Sequence, residues 1–313
     1  MKFNVIGIGE VLWDLLPSGP QLGGAPANFA YHAQALGARA EVITRVGNDR
    51  FGQEICERFR EMGLPEDEVQ VDEAAPTGTV TVTITGHGVP YFVIHENVAW
   101  DRLVVSQAAL KAVRGANAIC FGSLAQRNSI SGTAIQRLVA AAPVDALRVF
   151  DINLRQSFYS REIMERSLRL ANVLKLNDAE LPVLAQMFEL GASAKQQMKS
   201  LAEGFSLRGV VLTRGAEGSL IYEHGRWSEQ TARTVQVVDT VGAGDAFTAA
   251  LVLGLLHQQD LDEVHAFAAE VARYVCSCAG ATPALPSQLR SHFLNAQPHE
   301  LQVSEPSVPV PNT

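Results

Sequence analysis

The chain has little cysteine and no long apolar run, and each of these features excludes some classes of protein. Its 313 residues include only four cysteines, Cys56, Cys120, Cys276 and Cys278. They are too few and too scattered for a disulfide scaffold or a paired-cysteine zinc site. No apolar stretch reaches the roughly 20 residues that cross a bilayer, and no basic-plus-apolar leader is visible near Met1. We therefore expect reduced thiols, no membrane span and a cytoplasmic location.

Basic residues are also in deficit, with 25 Lys and Arg against 33 Asp and Glu and a net charge of −8. An acidic surface argues against nucleic acid or an anionic membrane as the main partner. Nucleotides remain possible ligands, because a phosphate can bind through local backbone N–H groups and a metal ion. The eight histidines show no helical His-x-x-x-His spacing, so the sequence predicts no transition-metal site.

Short apolar strands alternate with helical segments along most of the chain. Two helices are predicted over residues 28–36 and 52–62, each followed by a glycine. The predicted strands cover residues 5–9, 40–46, 118–121, 148–151, 173–176 and 209–213. This alternation is typical of an α/β fold with an open, mainly parallel sheet and helices on both faces. We expect one domain over 1–295 and a disordered Pro/Ser/Val-rich tail over 296–313.

One segment departs from this alternation. Residues 77–85 alternate Thr and Val with period two, and residues 89–95 follow after Gly-His-Gly. The pattern predicts an antiparallel hairpin with one face buried and one face in water. The hairpin is either an edge of the main sheet or a separate appendage, and its insertion within an α/β chain favours the appendage.

The most informative segment lies at residues 237–247 and reads Val-Val-Asp-Thr-Val-Gly-Ala-Gly-Asp-Ala-Phe. We predict a strand at 234–238, a glycine turn, and a helix from 246 to 256. The N–H groups of Gly242, Ala243 and Gly244, with the positive end of the helix, would form an anion site. Asp245 at its rim is placed to take a proton from an attacking hydroxyl.

Other interpretations of this turn are weaker. Its glycines could merely relieve crowding at a strand–turn–helix corner, but six of seven specified positions make chance a poor explanation. No Gly-Lys-Ser/Thr follows, so the turn is not a Walker loop, and its late position does not suit a dinucleotide fingerprint.

Residues 239–245 resemble the C-terminal signature of the ribokinase-like (pfkB) carbohydrate kinases. Residues 23–30, Gly-Gly-Ala-Pro-Ala-Asn-Phe-Ala, resemble the family's N-terminal signature. The resemblance runs over about 4–286, and residues 25–26, 121–125 and 151–155 are most similar to bacterial fructokinases. It implies a ribokinase-like fold in which strands from about 10–22 and 76–98 form a small β-sheet lid.

The resemblance also implies a reaction. ATP with Mg²⁺, and in some relatives K⁺, would phosphorylate a primary hydroxyl of a sugar, most simply D-fructose to fructose 6-phosphate. Kinases for 2-keto-3-deoxygluconate, ribose or a nucleoside remain open, as does a catalytically silent sugar sensor or scaffold. The partners would be the sugar and ATP, with no nucleic acid or membrane, and the protein would be a monomer or a homodimer through the lid.

The expected sugar pocket draws on three segments. Asp14 follows the first strand, where carboxylates can accept sugar hydroxyls, although the sequence alone favours a turn or helix-cap role. Gly23 and Gly24 permit close backbone approach, and Asn28 offers a donor and an acceptor. Alternate spacing after the strand at 148–151 would point Asp151, Asn153 and Arg155 to one side, unless an Asp–Arg pair only fixes the loop. The resemblance favours substrate contacts for Asp14, Gly23, Gly24, Asn28, Asn153 and Arg155.

The expected nucleotide site follows later strands. The resemblance implies nucleotide contacts from Lys175, Asn177, Thr213, Gly215, Gly218 and Gly244. It places Mg²⁺ near Glu180 through water, while the spacing of Asn177 and Glu180 also fits a helix capping box. Backbone carbonyls near Asp239, Val241 and Gly280 would hold K⁺, as in relatives.

Overall fold

The computed structural model describes residues 2–84 and 90–293. The strands within these ranges are β1 (Asn4–Ile8), β2 (Leu12–Leu16), β3 (Gly19–Gly23), β4 (Arg39–Gly47), β5 (Val69–Asp72), β6 (Gly78–Ile84), β7 (Pro90–Ile94), β8 (Ala118–Phe121), β9 (Leu147–Asp151), β10 (Val173–Asn177), β11 (Gly209–Thr213), β12 (Ser219–Glu223) and β13 (Arg226–Gln230). The helices are α1 (Ala25–Ala35), α2 (Arg50–Glu61), α3 (Gln107–Arg114), α4 (Ser129–Ala140), α5 (Arg161–Leu170), α6 (Glu180–Phe188), α7 (Ala194–Gly204), α8 (Ala243–Leu256), α9 (Leu261–Cys276) and α10 (Ser287–Arg290).

Nine strands form the main sheet, in the order β13-β12-β11-β10-β9-β8-β1-β4-β5. The seven strands from β11 to β5 are parallel, while β12 and β13 add an antiparallel edge. The prediction of a mainly parallel open sheet is confirmed. Because parallel strands all end at one edge, the loops that follow them gather there, where ligands bind in such sheets.

Helices cover both faces of the main sheet. One core contains buried side chains of α1, α2, α8 and α9, and the other contains those of α3 to α7. Neighbouring residues of a strand pack into the cores on opposite faces of the sheet: Val173 belongs to the first core and Leu174 to the second. The strands lack polar alternation because both of their faces are buried. No helix among residues 2–84 and 90–293 is long and apolar enough to cross a membrane.

The predicted hairpin belongs to a second, four-stranded sheet, ordered β3-β2-β6-β7, which we call the small sheet. Strand β6 pairs antiparallel with β7 and parallel with β2, so the interpretation as an edge of the main sheet is wrong. The turn at 85–89 and the predicted tail at 296–313 lie outside the described residues. The single-domain boundary at 295 stays a prediction.

Two boundaries near the glycine turn were predicted wrongly. Residues 231–240 form no strand, and Val237 and Val238 are 58% and 59% exposed. Their β-branched side chains favour a strand, but no neighbouring strand supplies a ladder; instead Val238 N–H donates to Cys276 O at 2.9 Å. Helix α8 begins at Ala243 rather than 246, so Gly244 and Asp245 lie in its first turn.

Candidate active site

The glycine turn packs against the loop that follows α9. Gly242 is the N-cap of α8 with φ 77°, a conformation that glycine adopts without strain. A Cβ at this position would lie 2.3 Å from Ala281 O, so a side chain is excluded by sterics as well. The turn can therefore approach the 280–281 loop only because residue 242 is glycine.

The N-terminus of α8 leaves backbone donors for an anion. The first helical bond runs from Ala246 N–H to Gly242 O, and Ala243 N–H makes a long bond to Thr240 O at 3.3 Å. The N–H groups of Gly244 and Asp245 precede the helical ladder and have no acceptor within the helix. These donors and the helix dipole favour an anion at this point.

Asp245 is held beside these donors by a residue from another part of the chain. Its Oδ2 accepts from Asn28 Nδ2 at 2.9 Å, and the residue is 9% exposed. Burial and the nearby Asp151 raise the pKa of Asp245 to about 6, against the lowering effects of Lys175, Asn28 and Arg155. A carboxylate with this pKa is mostly ionised at neutral pH and still basic enough to accept a proton.

A buried ion pair lies directly beneath this turn. Lys175 Nζ is 3.1 Å from Asp151 Oδ1, and the two side chains are 5% and 4% exposed. Thr248 Oγ1 lies 3.1 Å from Asp151 Oδ2 and 2.9 Å from Gly244 O. A Cβ on Gly244 would lie 2.9 Å from Lys175 Nζ, so the absence of a side chain at 244 makes room for the ammonium. A nucleotide contact of Lys175 stays a prediction.

Asp14 does not lie at the carboxyl end of a main-sheet strand, although it falls within the segment 10–22 that the resemblance assigns to the small β-sheet lid. It lies in the middle of β2 in the small sheet, and its Oδ2 would be 2.6 Å from a Cβ on Gly23 of β3. The pKa of Asp14 is raised by burial, against a lowering effect of Arg155. Asp14 therefore belongs to the appended sheet and is still close to the charge of Arg155.

Arg155 and Asn153 also reach the site by a route that the sequence did not predict. Asn153 has φ 47° and Gln156 φ 49°, so the segment after β9 is not extended and strict alternation fails. Asp151 pairs with Lys175 instead of forming the alternative Asp151–Arg155 pair. The charge of Arg155 instead lowers the pKa of Glu10, Asp14 and Asp245, so Arg155 lies near a cluster of carboxylates.

Glu10 is a buried member of this cluster that the sequence reasoning missed. It is 4% exposed, and its Oε2 has no hydrogen-bond partner within the described residues. Burial raises the pKa of Glu10 to about 7, although its own N–H, Arg155 and Ala25 N–H favour the ionised form. Gly24, with φ 117°, approaches Glu10 O so closely that a Cβ would be 2.5 Å away. A lone acidic residue just after an apolar strand was the only available signal.

At the start of α6, the side chains of Asn177 and Glu180 each accept a hydrogen bond from the other residue's N–H group, as the capping-box spacing indicated. Asn177 Oδ1 accepts from Ala179 and Glu180 N–H groups, and Glu180 Oε2 accepts from Asn177 N–H at 2.9 Å. Glu180 Oε1 accepts from Leu154 N–H at 2.9 Å, which ties the 152–156 segment to α6. No group of three His, Cys, Asp or Glu residues arranged to hold a metal ion occurs in the described part of the chain. This donor set fits Mg²⁺ held mainly by phosphate oxygens and waters, with Glu180 nearby.

The loop after β11 is a short 3₁₀ turn, Gly215–Glu217, rather than a plain β-turn. Thr213 ends β11, and Arg214 N–H donates to Gly218 O at 2.7 Å. Gly218 has φ 90°, and a Cβ there would lie 1.9 Å from Gln230 O. Gly218 is thus required by the neighbouring β13, and contacts of Thr213, Gly215 and Gly218 with a nucleotide stay predictions.

Asp239 connects the two loops predicted to hold K⁺. Its Oδ1 accepts from Val241 N–H at 3.0 Å and its Oδ2 from Gly280 N–H at 3.1 Å. The carboxylate thereby joins the 239–241 segment to the loop at 280. Ion binding by the carbonyls of these residues stays a prediction.

The sheet, the small sheet and the glycine turn define an α/β enzyme that acts on a small molecule. The model of the pfkB family carbohydrate kinases matches residues 20–288. The chain belongs to this family, and it is a sugar kinase that transfers a phosphoryl group to an alcohol. It is 30% identical over 308 residues to a fructokinase of Klebsiella pneumoniae, covering 91% of this chain and 97% of that protein.

Two solved structures have the same fold. The fructokinase of Xylella fastidiosa with bound ATP has a TM-score of 0.80 at 25% identity, covering 91% of this chain and 96% of that one. The fructokinase of Vibrio cholerae O395, in its fructose, ADP and calcium ion bound form, has a TM-score of 0.78 at 25% identity. That match covers 93% of this chain and 99% of the other.

Proposed function

We propose that the protein transfers the γ-phosphoryl group of ATP to the primary hydroxyl of D-fructose, giving fructose 6-phosphate and ADP. The observation that carries the proposal is the buried carboxylate of Asp245, fixed by Asn28 beside the unpaired N–H groups at the start of α8. A base next to an anion site suits attack of a hydroxyl on a phosphate.

The proposed transfer forms one bond to phosphorus and breaks one. Asp245 accepts the proton of the sugar hydroxyl as its oxygen bonds to the γ-phosphorus. The bond from that phosphorus to the bridging oxygen breaks, and the electron pair leaves with ADP. Gly242, Ala243 and Gly244 form the turn that leads into α8, where the free N–H groups of Gly244 and Asp245 would stabilise charge on the transferred group.

The remaining contacts are assigned from the arrangement of the segments. Asp14, Asn28, Asn153 and Arg155, with the Gly23-Gly24 backbone, would bind the sugar. The nucleotide would lie along Asn177, Thr213, Gly215 and Gly218. Glu180 would order the waters of Mg²⁺, which supplies charge neutralisation on the phosphates when bound, and K⁺ would lie near Asp239, Val241 and Gly280. ATP is supported by the ATP-bound relative.

Fructose is favoured over the other sugars by two observations. The Klebsiella relative is a fructokinase, and the Vibrio structure holds fructose.

The free thiols among the described residues support a reducing, cytoplasmic setting. Whether the protein is a monomer or a homodimer through the small sheet stays open. Phe92 and Val93, 48% and 36% exposed on edge strand β7, offer an apolar surface for the dimer.

The test combines a sugar panel with a variant of the base. Purified protein is given Mg-ATP and, in turn, D-fructose, 2-keto-3-deoxygluconate, ribose, glucose and adenosine, and phosphorus NMR identifies each product. We expect fructose to have the highest kcat/KM and its product to carry phosphate on C6.

Asp245→Asn keeps the size and the hydrogen bond to Asn28 but cannot accept the proton. We expect kcat to fall about 10²–10⁴-fold, with fructose and ATP affinities nearly unchanged in calorimetry. Turnover within a few-fold of wild type would remove Asp245 as the base. A higher kcat/KM for another sugar in the panel would show that fructose is not the preferred substrate. No turnover with any sugar would favour the alternative of a sugar sensor.

A further inference from the structure

Lys175 is a buried cation that the proposed chemistry does not yet use. It lies on β10 in register with Asp151 of β9, and both residues are at the edge of the main sheet where ligands bind. Its Nζ lies against Gly244, 2.9 Å from where a Cβ on that residue would be. A buried charge acts strongly over short distances because little water screens it.

The ammonium is firmly fixed in this position. Asp151 accepts from Lys175 through Oδ1, and Thr248 of α8 approaches its Oδ2. Burial lowers the pKa of Lys175, but Asp151, Glu180 and Asp245 raise it more, so the net shift is upward and the side chain stays charged. The pair therefore connects two strands to the first turn of α8 and presents a positive charge there.

We infer that Lys175 is a positioning residue for phosphoryl transfer: its ammonium, fixed by Asp151 beneath Gly244, adds positive charge to the anion site and keeps Asp245 ionised. It acts through the backbone of the α8 turn and needs no contact with the nucleotide. A Cβ on residue 244 would crowd this ammonium, which glycine leaves room for. The inference rests on the proposed role of Asp245 as the base.

Several charges act on Asp245, and the test must separate them. The titratable groups that face it from the surrounding elements are Glu10, Cys120, Asp151, Arg155 and Lys175. Removing Lys175 alone is uninformative, since the unpaired buried Asp151 would take up a proton and cancel the change. The informative comparison is between Asp151→Asn, which keeps the lysine, and Asp151→Asn with Lys175→Gln, which has a neutral pair able to hydrogen-bond.

The first measurement is the titration of Asp245 by NMR of carboxyl-¹³C aspartate in the protein without ligands. Asp245→Asn identifies the signal. Because Asp151→Asn leaves the ammonium unopposed, we expect the pKa of Asp245 to fall below the wild-type value. The double variant should raise it again by about one unit, since a nearby positive charge favours the ionised carboxylate. The pKa on the acid side of the pH profile of kcat/KM should likewise fall in Asp151→Asn and rise again in the double variant. A purely structural role of Lys175 would lower activity without these opposite shifts.

The second measurement is ADP binding by calorimetry at pH 7.5. The double variant should bind ADP about tenfold more weakly than Asp151→Asn, because the added charge is lost. Equal Asp245 pKa values in these two variants, or equal ADP affinities, would overturn the inference. Circular dichroism and thermal melts confirm that both are folded. If wild type phosphorylates no sugar, the proposed function fails, while the titration and the ADP comparison still decide the role of Lys175.

Discussion

At the scale of single residues, the site depends on side chains that are far apart in the chain. Asn28 and Asp245 are 217 residues apart and meet in one hydrogen bond. Arg155 acts on carboxylates from the segment after β1, from β2 and from α8. The chemistry of each group is thus set by neighbours that local sequence does not reveal.

Asp14→Ala should weaken fructose binding much more than ATP binding. Asp14 lies in the small sheet against Gly23 and close to the charge of Arg155, and loss of a charged hydrogen-bonding partner costs roughly 1.5–3 kcal/mol. Kinetic titration of each substrate at saturation of the other measures the effect. Equal losses for the two substrates would show that Asp14 has no sugar-specific role.

At the scale of elements, the start of α8 is defined by the close approach of two loops. Gly242 meets Ala281, and Asp239 joins the same loop through Gly280 N–H. The small sheet is likewise part of the packing, because Val80 of β6 and Ile94 of β7 belong to a buried core.

Gly242→Ala should destabilise the protein more than Gly280→Ala. Both glycines have positive φ, 77° and 78°, so both variants lose about 1–2 kcal/mol. Only residue 242 also clashes with backbone, since no atom lies within 4 Å of a Cβ at 280. Overpacking adds about 1–3 kcal/mol, which urea unfolding will measure. Equal losses in the two variants would mean that the 280–281 loop moves freely.

Shortening the hairpin should leave a folded protein with leaky ATP hydrolysis. Val82 and Phe92 are cross-strand partners, so residues 83–91 can be replaced by Asn-Gly, which favours a two-residue turn. This retains Val80, Ile94 and the pairing of β6 with β2. We expect the ratio of ATP hydrolysis to sugar phosphorylation to rise, because less surface excludes water. An unchanged ratio would contradict a lid role, and replacement of exposed Val144 by Thr serves as a distant control.

At the scale of the whole molecule, buried titratable groups make stability depend on pH. Burial raises the pKa of Glu10 and Asp245 and lowers the pKa of His32 and His265 to about 4. Between pH 4.5 and 7 the native state holds more protons on the acids than the unfolded chain does, which lowers stability as pH rises. The histidines act oppositely between pH 4 and 6.5, because the unfolded chain binds their protons more readily.

Glu10→Gln should therefore stabilise the protein at pH 8 and have little effect at pH 4. The shift in the pKa of Glu10 from 4.5 to about 7 sets an upper limit of about 3 kcal/mol. The exposed Glu57 of α2 gives a matched control, Glu57→Gln. Unfolding in urea at both pH values measures the change. A gain at pH 8 no larger than that of the control would show that Glu10 is not buried as a charged group.

Much of the fold was predictable because it depends on local patterns. The strands over 118–121 and 209–213 were predicted with their observed bounds, since both faces of each are buried and the apolar runs are continuous. The glycine turn and Asp245 were identified from seven consecutive positions. In contrast, the strand at 234–238 was wrong, because a β-branched run forms a strand only where a partner strand is available.

The sequence by itself determined the α/β class and the family signatures, and it carried the predictions of an anion turn and of Asp245 as the base. Each of these depends on residues close together in the chain, whose spacing follows a helix, a strand or a turn. Only the tertiary structure decided that Asp14 lies in the middle of β2, that Asp151 pairs with Lys175 and that Glu10 is buried in the site. These facts depend on which strands are neighbours and on which way the chain turns after each strand. No local pattern encodes them, since the partners are brought together by packing across the whole sheet.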